Sequence, residues 1–274
     1  ENGQDIVACP HIIFPLRRLV NAYTGVEKIE VAYKRGTRWR TAVKPKSILA
    51  SANKIIELAD EGVGVNSDNA KELVKYLSDV EALNYDSMPE IQAFDRLGWM
   101  ENYQSFSPYL KGAVFDEADA FRGVYDAVSR HHGSYDTWLE NARRIRAESP
   151  VQTKMALAAS LASAIVRPCG ANPFFLHLWG GTEAGKTVAL MFAASMWADP
   201  ECGRYWKTFD ATAVGQEKMA GFLGSLPLII DELMLIRDKK SFDDIVYRLS
   251  EGQGRTRGNK EGGVQRQETW RLSI

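Results

Sequence analysis

The sequence predicts an α/β protein: a three-layer sandwich with a parallel sheet in the C-terminal half, preceded by an α+β domain that contains a β-meander. Two apolar runs, Phe174–Trp179 and Leu226–Ile230, are separated by helical segments long enough to serve as crossovers between parallel strands. The N-terminal half instead has alternating stretches joined by short turns. We therefore predict an N-terminal domain over residues 1–148 and a C-terminal domain over residues 149–274.

The composition is that of a globular protein with one large or two ordinary domains. The chain has 274 residues, of which 45% are hydrophobic and 25% charged. Its 34 basic and 35 acidic residues give a net charge of -1, so any nucleic-acid surface must be a local patch. The three cysteines, Cys9, Cys169 and Cys202, lack the spacing of zinc ligands. Without a 20-residue apolar run or a signal-peptide layout, we expect a cytoplasmic protein with no membrane partner.

The N-terminal strands are predicted within residues 11–20, 26–33 and 38–43, with Gly25 and Gly36 in the turns. The first 50 residues hold nine Lys/Arg against four Asp/Glu, interleaved with Tyr23, Tyr33 and Trp39. This pattern fits a nucleic-acid face, because cations neutralise phosphates and aromatic rings stack on bases. It also fits solvent-facing charges on an antiparallel sheet with buried aromatics, which we favour.

Helices are predicted next, from Ser47 to Ala59 and from Ser67 or Asp68 through Val80. Residues 88–125 are predicted as short strands and loops, and Ser134 is predicted to cap a further helix. Ser149-Pro150-Val151-Gln152 has the pattern of a capping box before the Ala-rich segment that ends at Val166. This signal places the predicted domain boundary.

The segment after Trp179 matches the phosphate-binding loop pattern G-x-x-x-x-G-K-[ST] at every fixed position. Glycines let the backbone N–H groups converge on phosphate oxygens, and the following helix adds the positive end of its dipole. The lysine can reach the β and γ phosphates. The predicted ATP-binding residues are Gly180, Gly181, Thr182, Glu183, Ala184, Gly185, Lys186 and Thr187.

A second apolar run ends in Asp231-Glu232, which is the layout of a Walker B strand. We predict that Thr187 and Asp231 hold Mg²⁺, since this ion prefers hard oxygen ligands. Lys186 and Glu232 are the predicted catalytic residues, with Glu232 polarising the water that attacks the γ phosphate. A water-polarising glutamate favours ATP hydrolysis over transfer of phosphate to another substrate.

Beyond Gly252 the chain is rich in glycine and cations and is predicted to form a β-hairpin. Arg255, Arg257 and Lys260 could contact the backbone of a nucleic acid. A solvated loop, or a loop that contacts the ATP of a neighbouring subunit, fits the same residues equally well.

Several segments resemble the helicase-like ATPases of phages, plasmids and staphylococcal cassette chromosomes. They are HLWGGTEAGKT, TAVGQEKMAGFL, LPLIIDELMLI, LSEGQGRTRGNKEGG, ASANKIIELADEGVGV and LGW. That family is similar to AAA+ replicative helicases of the MCM and superfamily 3 type. The resemblance implies an AAA+-like core and an ATP-dependent DNA helicase or translocase that replicates a mobile genetic element.

The same resemblance implies single-stranded or forked DNA as the partner, a hexameric ring, and DNA contact by Arg255, Arg257 and Lys260. The family continues beyond the position of Ile274 into its sensor 1 residue and arginine finger. We therefore expect these 274 residues alone to bind ATP and to hydrolyse it poorly. The alternative is an ATP-regulated DNA-binding or assembly switch without unwinding activity.

Overall fold

The computed structural model describes residues 6–100, 103–116, 121–130, 133–181, 183–208, 212–232, 239–256, 258 and 267–274. The chain forms two compact units. Unit 1 comprises residues 1–94 and 111–116, and unit 2 comprises residues 95–110 and 117–274. Residues 95–110 and 117–148 thus pack with the C-terminal half, upstream of the boundary that the capping pattern suggested. The functional division between residues 1–148 and 149–274 stays a prediction.

Unit 1 is built on a mixed sheet of five strands in the order β3-β2-β1-β4-β7. The first three strands pair antiparallel and confirm the predicted meander, whereas β4 runs parallel to both β1 and β7. The strands are β1 (Ile13–Asn21), β2 (Glu27–Arg35), β3 (Arg38–Pro45), β4 (Glu90–Phe94) and β7 (Val114–Phe115).

Helices cover one face of this sheet and complete a core that includes Val31, Leu58 and Leu73. They are α1 (Lys46–Leu49), a 3-10 helix (Ile55–Ala59) and α2 (Ala70–Asn84). The single helix predicted from Ser47 to Ala59 is therefore wrong, because a turn at residues 51–54 divides it. In this turn the backbone oxygen of Ser51 accepts hydrogen bonds from the N–H groups of Lys54 and Ile55. The turn also contains Ser and Asn, which have low helix propensity.

Unit 2 contains six helices among its described residues. They are α3 (Arg122–Ser129), α4 (Tyr135–Glu148), α5 (Val151–Val166), α6 (Lys186–Ala194), α7 (Ala213–Leu223) and α8 (Lys239–Glu251). A short antiparallel pair, β5 (Gly98–Trp99) and β6 (Phe106–Ser107), also belongs to this unit. The prediction of strands and loops over residues 88–125 is wrong for Arg122–Tyr125, where α3 begins, because Val124, Ala127 and Val128 are buried together at helical spacing.

The start of α5 also differs from the prediction. Pro150 occupies the N-cap position and no side chain caps the helix. The Ser149 N–H instead donates to the backbone oxygen of Ile145 and so finishes α4. The predicted capping box is therefore not formed.

Short extended segments of unit 2 lie side by side and carry the candidate site. Strands β8 (Lys207–Thr208) and β9 (Ile230–Asp231) pair in parallel. The Leu228 N–H donates to the Ser273 oxygen at 2.9 Å, and the Leu176 N–H donates to the Ile274 oxygen at 2.8 Å. The segment order is therefore 207–208, 228–231, 273–274 and 174–176.

Within the described part of the chain, no helix has the length and apolar character needed to cross a membrane.

Candidate nucleotide-binding site

The backbone of the glycine-rich loop turns sharply before helix α6. Gly180 has a φ of 154° and Gly185 a φ of 78°, and the non-glycine residue Glu183 between them has a φ of 64°. Gly185 is the left-handed N-cap of α6, so the loop leads directly into the amino end of that helix. This geometry suits an anion, because unpaired N–H groups and the positive end of the dipole meet there.

Lys186, the first residue of α6, folds back over the loop. Its ammonium donates hydrogen bonds to the backbone oxygens of Gly180 at 2.9 Å and Gly181 at 2.7 Å. The side chain is therefore held across the mouth of the loop, where it satisfies carbonyl groups. Phosphate oxygens entering the loop would replace these neutral acceptors with charged ones, which form stronger bonds to an ammonium.

Thr187 and Asp231 come together although 44 residues separate them in sequence. The Thr187 hydroxyl donates to Oδ2 of Asp231 at 3.0 Å. Asp231 is the last residue of β9 and is held beside Thr208 of the neighbouring parallel strand. The two adjacent oxygens belong to the hard ligand types that Mg²⁺ prefers, so these residues fit the predicted metal site.

Glu232 follows Asp231 in an unusual backbone conformation. Its φ is 61°, its side chain is exposed, and its N–H donates to Oδ1 of Asp231 at 2.8 Å. A left-handed conformation is uncommon for a residue other than glycine and is frequent at functional sites. Glu232 lines the same cavity as Lys186, Thr187 and Asp231.

That cavity has a volume of ≈ 840 Å³ and is lined by both polar and apolar residues. The polar residues come from the loop, from Asp231 and Glu232, and from His177. The apolar residues include Phe175, Leu190, and Ile245 and Leu249 of α8. No pattern in the sequence predicts that the apolar face of α8 lines this cavity.

Trp179 lies at the entrance to the loop with 85% of its surface exposed. It also contributes to the cavity wall. Its predicted place at the end of an apolar strand did not indicate this exposure. The residue is therefore available for contact with a ligand or another surface.

Helix α5 supports the site through small polar side chains that allow close packing. The Ser160 hydroxyl donates to the Ala193 oxygen of α6 at 2.7 Å. The Ser163 hydroxyl accepts from the Ser273 N–H at 3.0 Å and anchors the segment beside the loop strand. The dense alanine and serine content of this segment is the signal for such packing.

Tyr205 anchors the start of the segment that ends at Asp231. Its hydroxyl donates to the Pro227 oxygen at 2.6 Å from a fully buried position. Burial, with a smaller contribution from Tyr109, raises the pKa of Tyr205 well above its usual value, so the hydroxyl keeps its proton. No motif in the sequence points to this residue.

The predicted DNA-contact residues are only partly described. Arg255 is exposed, whereas Arg257 and Lys260 lie outside the described residues, as does Thr182 of the loop. At the base of the predicted hairpin, Gln253 and Thr269 form an antiparallel bridge. The Gly254 N–H donates to the Glu268 oxygen at 2.8 Å.

The described ranges contain no group of three or more His, Cys, Asp or Glu side chains able to share one metal ion.

The described fold is mixed α/β and is similar to that of a solved structure. One solved structure, "SCCmec type IV Cch - active helicase", has a TM-score of 0.59 and 18% sequence identity to this chain. The match covers 96% of this chain and 49% of the helicase chain, so this chain spans about half of that protein. The comparison with curated proteins gives no match.

The chain belongs to the DUF927 family. The model of this family, described as a domain of unknown function, matches residues 2–270.

Proposed function

We propose that this chain is the nucleotide-binding part of an ATP-dependent DNA helicase or translocase with an AAA+-like P-loop core. The observation that carries the proposal is the 3.0 Å contact between Thr187 and Asp231. A chance glycine-rich loop before a helix has no reason to meet the carboxylate at the tip of another strand. A Mg²⁺-nucleotide site requires this meeting.

The order of the extended segments favours the same conclusion. The 273–274 segment lies between the extended segment that leads to the loop and the segment that ends at Asp231. The two motif-bearing segments are therefore next-but-one neighbours, with strand β8 beyond Asp231. This is the arrangement that an AAA+-like sandwich would have, and the helicase-like fold agrees with it.

In the proposed reaction each polar residue has a separate task. The loop N–H groups and the Lys186 ammonium bind the β and γ phosphates and stabilise the charge that develops during transfer. Thr187 and Asp231 would hold Mg²⁺, which would supply positive charge to neutralise the phosphates. Glu232 would orient the attacking water and accept its proton.

The proposed partner is single-stranded or forked DNA, contacted by Arg255, Arg257 and Lys260, in the replication of a mobile genetic element. A hexameric ring is the proposed assembly. We further propose that the 274 residues alone bind ATP and hydrolyse it slowly, because the 49% coverage of the helicase chain leaves half of that protein without a counterpart here.

A second candidate is a non-motor switch that binds or assembles on DNA according to its nucleotide state. The lining of the ≈ 840 Å³ cavity by apolar residues of α8, such as Ile245 and Leu249, favours this candidate, since a nucleotide bound there could alter the packing of α8. The two candidates use the same residues and differ in whether DNA stimulates turnover.

The test compares the parent with Glu232→Gln in the full-length protein. We expect the variant to bind ATP as tightly as the parent and to lose at least about 100-fold in turnover, because only the group that polarises water is removed. Single-stranded DNA should stimulate ATP hydrolysis by the parent, and a forked duplex should be unwound. Turnover without DNA stimulation or unwinding would favour the switch, and full turnover by Glu232→Gln would refute the assignment of Glu232.

A further inference from the structure

A surface of unit 1 combines an exposed tryptophan with unpaired cations. It is the β2–β3 hairpin over residues 31–43, here named the Trp39 hairpin. Residues 31–43 contain four Lys/Arg and no Asp/Glu, although the whole chain has a charge of -1. This local excess creates a positive field that the overall composition hides.

Trp39 is held in place on this surface but is not buried. Its side chain is 54% exposed, and its ring packs edge-to-face against Phe14 of β1 with centroids 5.7 Å apart. Tyr33, by contrast, is 2% exposed and belongs to the core. The interpretation of buried aromatics therefore holds for Tyr33 and fails for Trp39.

One cation shares the face of the exposed ring, and two more lie beside it on the same strand. Lys34 is the direct cross-strand partner of Trp39 in the β2–β3 register, so these two side chains share a face. Arg38 and Arg40 are the neighbours of Trp39 along β3, and the pleat directs their side chains to the opposite face. Among the described residues, none of these three cations forms an ion pair, whereas Lys44 farther along the strand pairs with Glu61 at 2.6 Å. The three cations therefore remain available for a chain of phosphates that passes over this strand.

β3 is also an edge strand of the five-stranded sheet. Charged residues on an edge protect it from pairing with other sheets, and that role alone would explain the arginines. It does not explain a half-exposed tryptophan supported by a phenylalanine, since an apolar ring on an edge weakens such protection. The combination fits a partner that offers both flat rings and a chain of negative charges.

We propose that the Trp39 hairpin binds single-stranded DNA. Trp39 stacks on one unpaired base, and Lys34, Arg38 and Arg40 neutralise phosphates of the adjacent nucleotides. A duplex is excluded as the preferred ligand because its bases are already stacked on each other. The site is separate from the nucleotide-binding loop and from the proposed contacts of Arg255, Arg257 and Lys260.

The test measures fluorescence anisotropy of a labelled 20-nucleotide oligothymidine with the full chain and without ATP. Trp39→Ala should weaken binding by about 10-fold, and Trp39→Phe should restore part of the loss. Tyr135→Ala, which removes an aromatic side chain of 73% exposure from α4, is the matched control and should leave affinity unchanged.

An abasic oligonucleotide of equal length separates stacking from damage to the fold. The parent and Trp39→Ala should bind this oligonucleotide equally, since it has no base to stack. An equal loss on both oligonucleotides, or no loss with oligothymidine, would overturn the stacking role of Trp39. Tighter Trp39-dependent binding to oligouridine or to a duplex would overturn the choice of single-stranded DNA.

The cations are tested by the salt dependence of the same binding. Arg38→Ala together with Arg40→Ala should reduce the slope of log affinity against log salt by about 1.4, because each neutralised phosphate of a single strand contributes about 0.7. Lys71→Ala, an exposed lysine on α2, should leave the slope unchanged. An unchanged slope in the double variant would refute phosphate contact, and neither result depends on ATP hydrolysis by unit 2.

Discussion

The glycine-rich loop before α6 in unit 2 and the Trp39 hairpin of unit 1 are both proposed to bind anions, but they differ in which atoms would do the binding. The loop presents backbone N–H groups fixed by unusual φ values and uses one lysine. The hairpin presents an aromatic ring and several independent cations on regular strands. A single substitution should therefore abolish anion binding by the loop, whereas each substitution in the hairpin should weaken anion binding only in part.

The largest expected effect tests the dependence of the loop on one side chain. Lys186→Ala removes the ammonium that bonds to Gly180 and Gly181 and that would bond to phosphate. Two charge-assisted hydrogen bonds are worth about 1.5 to 3 kcal/mol each, so ATP affinity should fall at least 100-fold. Titration with a fluorescent ATP analogue measures this change. The exposed Lys218→Ala on α7 is the control, and a Lys186→Ala protein with parental affinity would contradict the site.

The next effect tests whether backbone conformation governs the loop. Gly185→Ala places a Cβ at a φ of 78° where no atom lies within 4 Å, so any cost is conformational. The left-handed region costs a residue with a Cβ about 1 to 2 kcal/mol, and the free energy of unfolding should fall by about that amount. Urea unfolding without nucleotide gives the value.

The matched control for this change lies in the same loop. Gly181 also has open space around its Cβ position but lacks a left-handed φ. Gly181→Ala should therefore leave the free energy of unfolding within about 0.5 kcal/mol of the parent. Equal losses of unfolding free energy in the two variants would mean that the left-handed conformation of Gly185 is not what stabilises the loop.

The elements that the sequence predicts well are those in which local pattern and final structure coincide. The meander follows from alternation and short turns, because neighbouring strands in sequence are neighbours in the sheet. The loop follows from its fixed glycines and lysine. In both cases the interactions that determine the structure join residues close together in sequence, so tertiary packing does not override the local pattern.

The elements that were missed depend on contacts between distant residues. The parallel pairing of β4 with β1 joins residues about 70 positions apart and leaves no local signature. The Tyr205 bond to Pro227 and the Ser163 bond to Ser273 are likewise set by packing. Alternation wrongly predicts an interior position for the Trp39 ring, because it identifies the face of a strand but not whether another layer covers that face.

The smallest expected effect concerns His11, which lies beside the Trp39 hairpin. Its Nδ1 is 3.4 Å from a guanidinium nitrogen of Arg35, and its Nε2 accepts the Gly64 N–H at 3.1 Å. Burial, and then the charge of Arg35, lower the pKa of His11 below its usual 6.5. Between the folded and unfolded pKa values the unfolded chain binds more protons, so this stabilisation is present above pH 6.5 and is lost as pH falls through the folded pKa.

The loss should be only a few tenths of a kcal/mol, since His11 is only half-buried and water screens it from the exposed Arg35 guanidinium. Urea unfolding at pH 7.5, 6.5 and 5.5 measures it. His11→Gln should remove this part of the pH dependence, and Arg35→Ala should reduce it by removing only the charge. If the free energy of unfolding of both variants depended on pH as it does in the parent, neither the His11 ring nor Arg35 would account for that dependence. The charge of the Trp39 hairpin would then not depend on the protonation of His11, and the affinity of the hairpin for DNA should not change between pH 5.5 and 7.5.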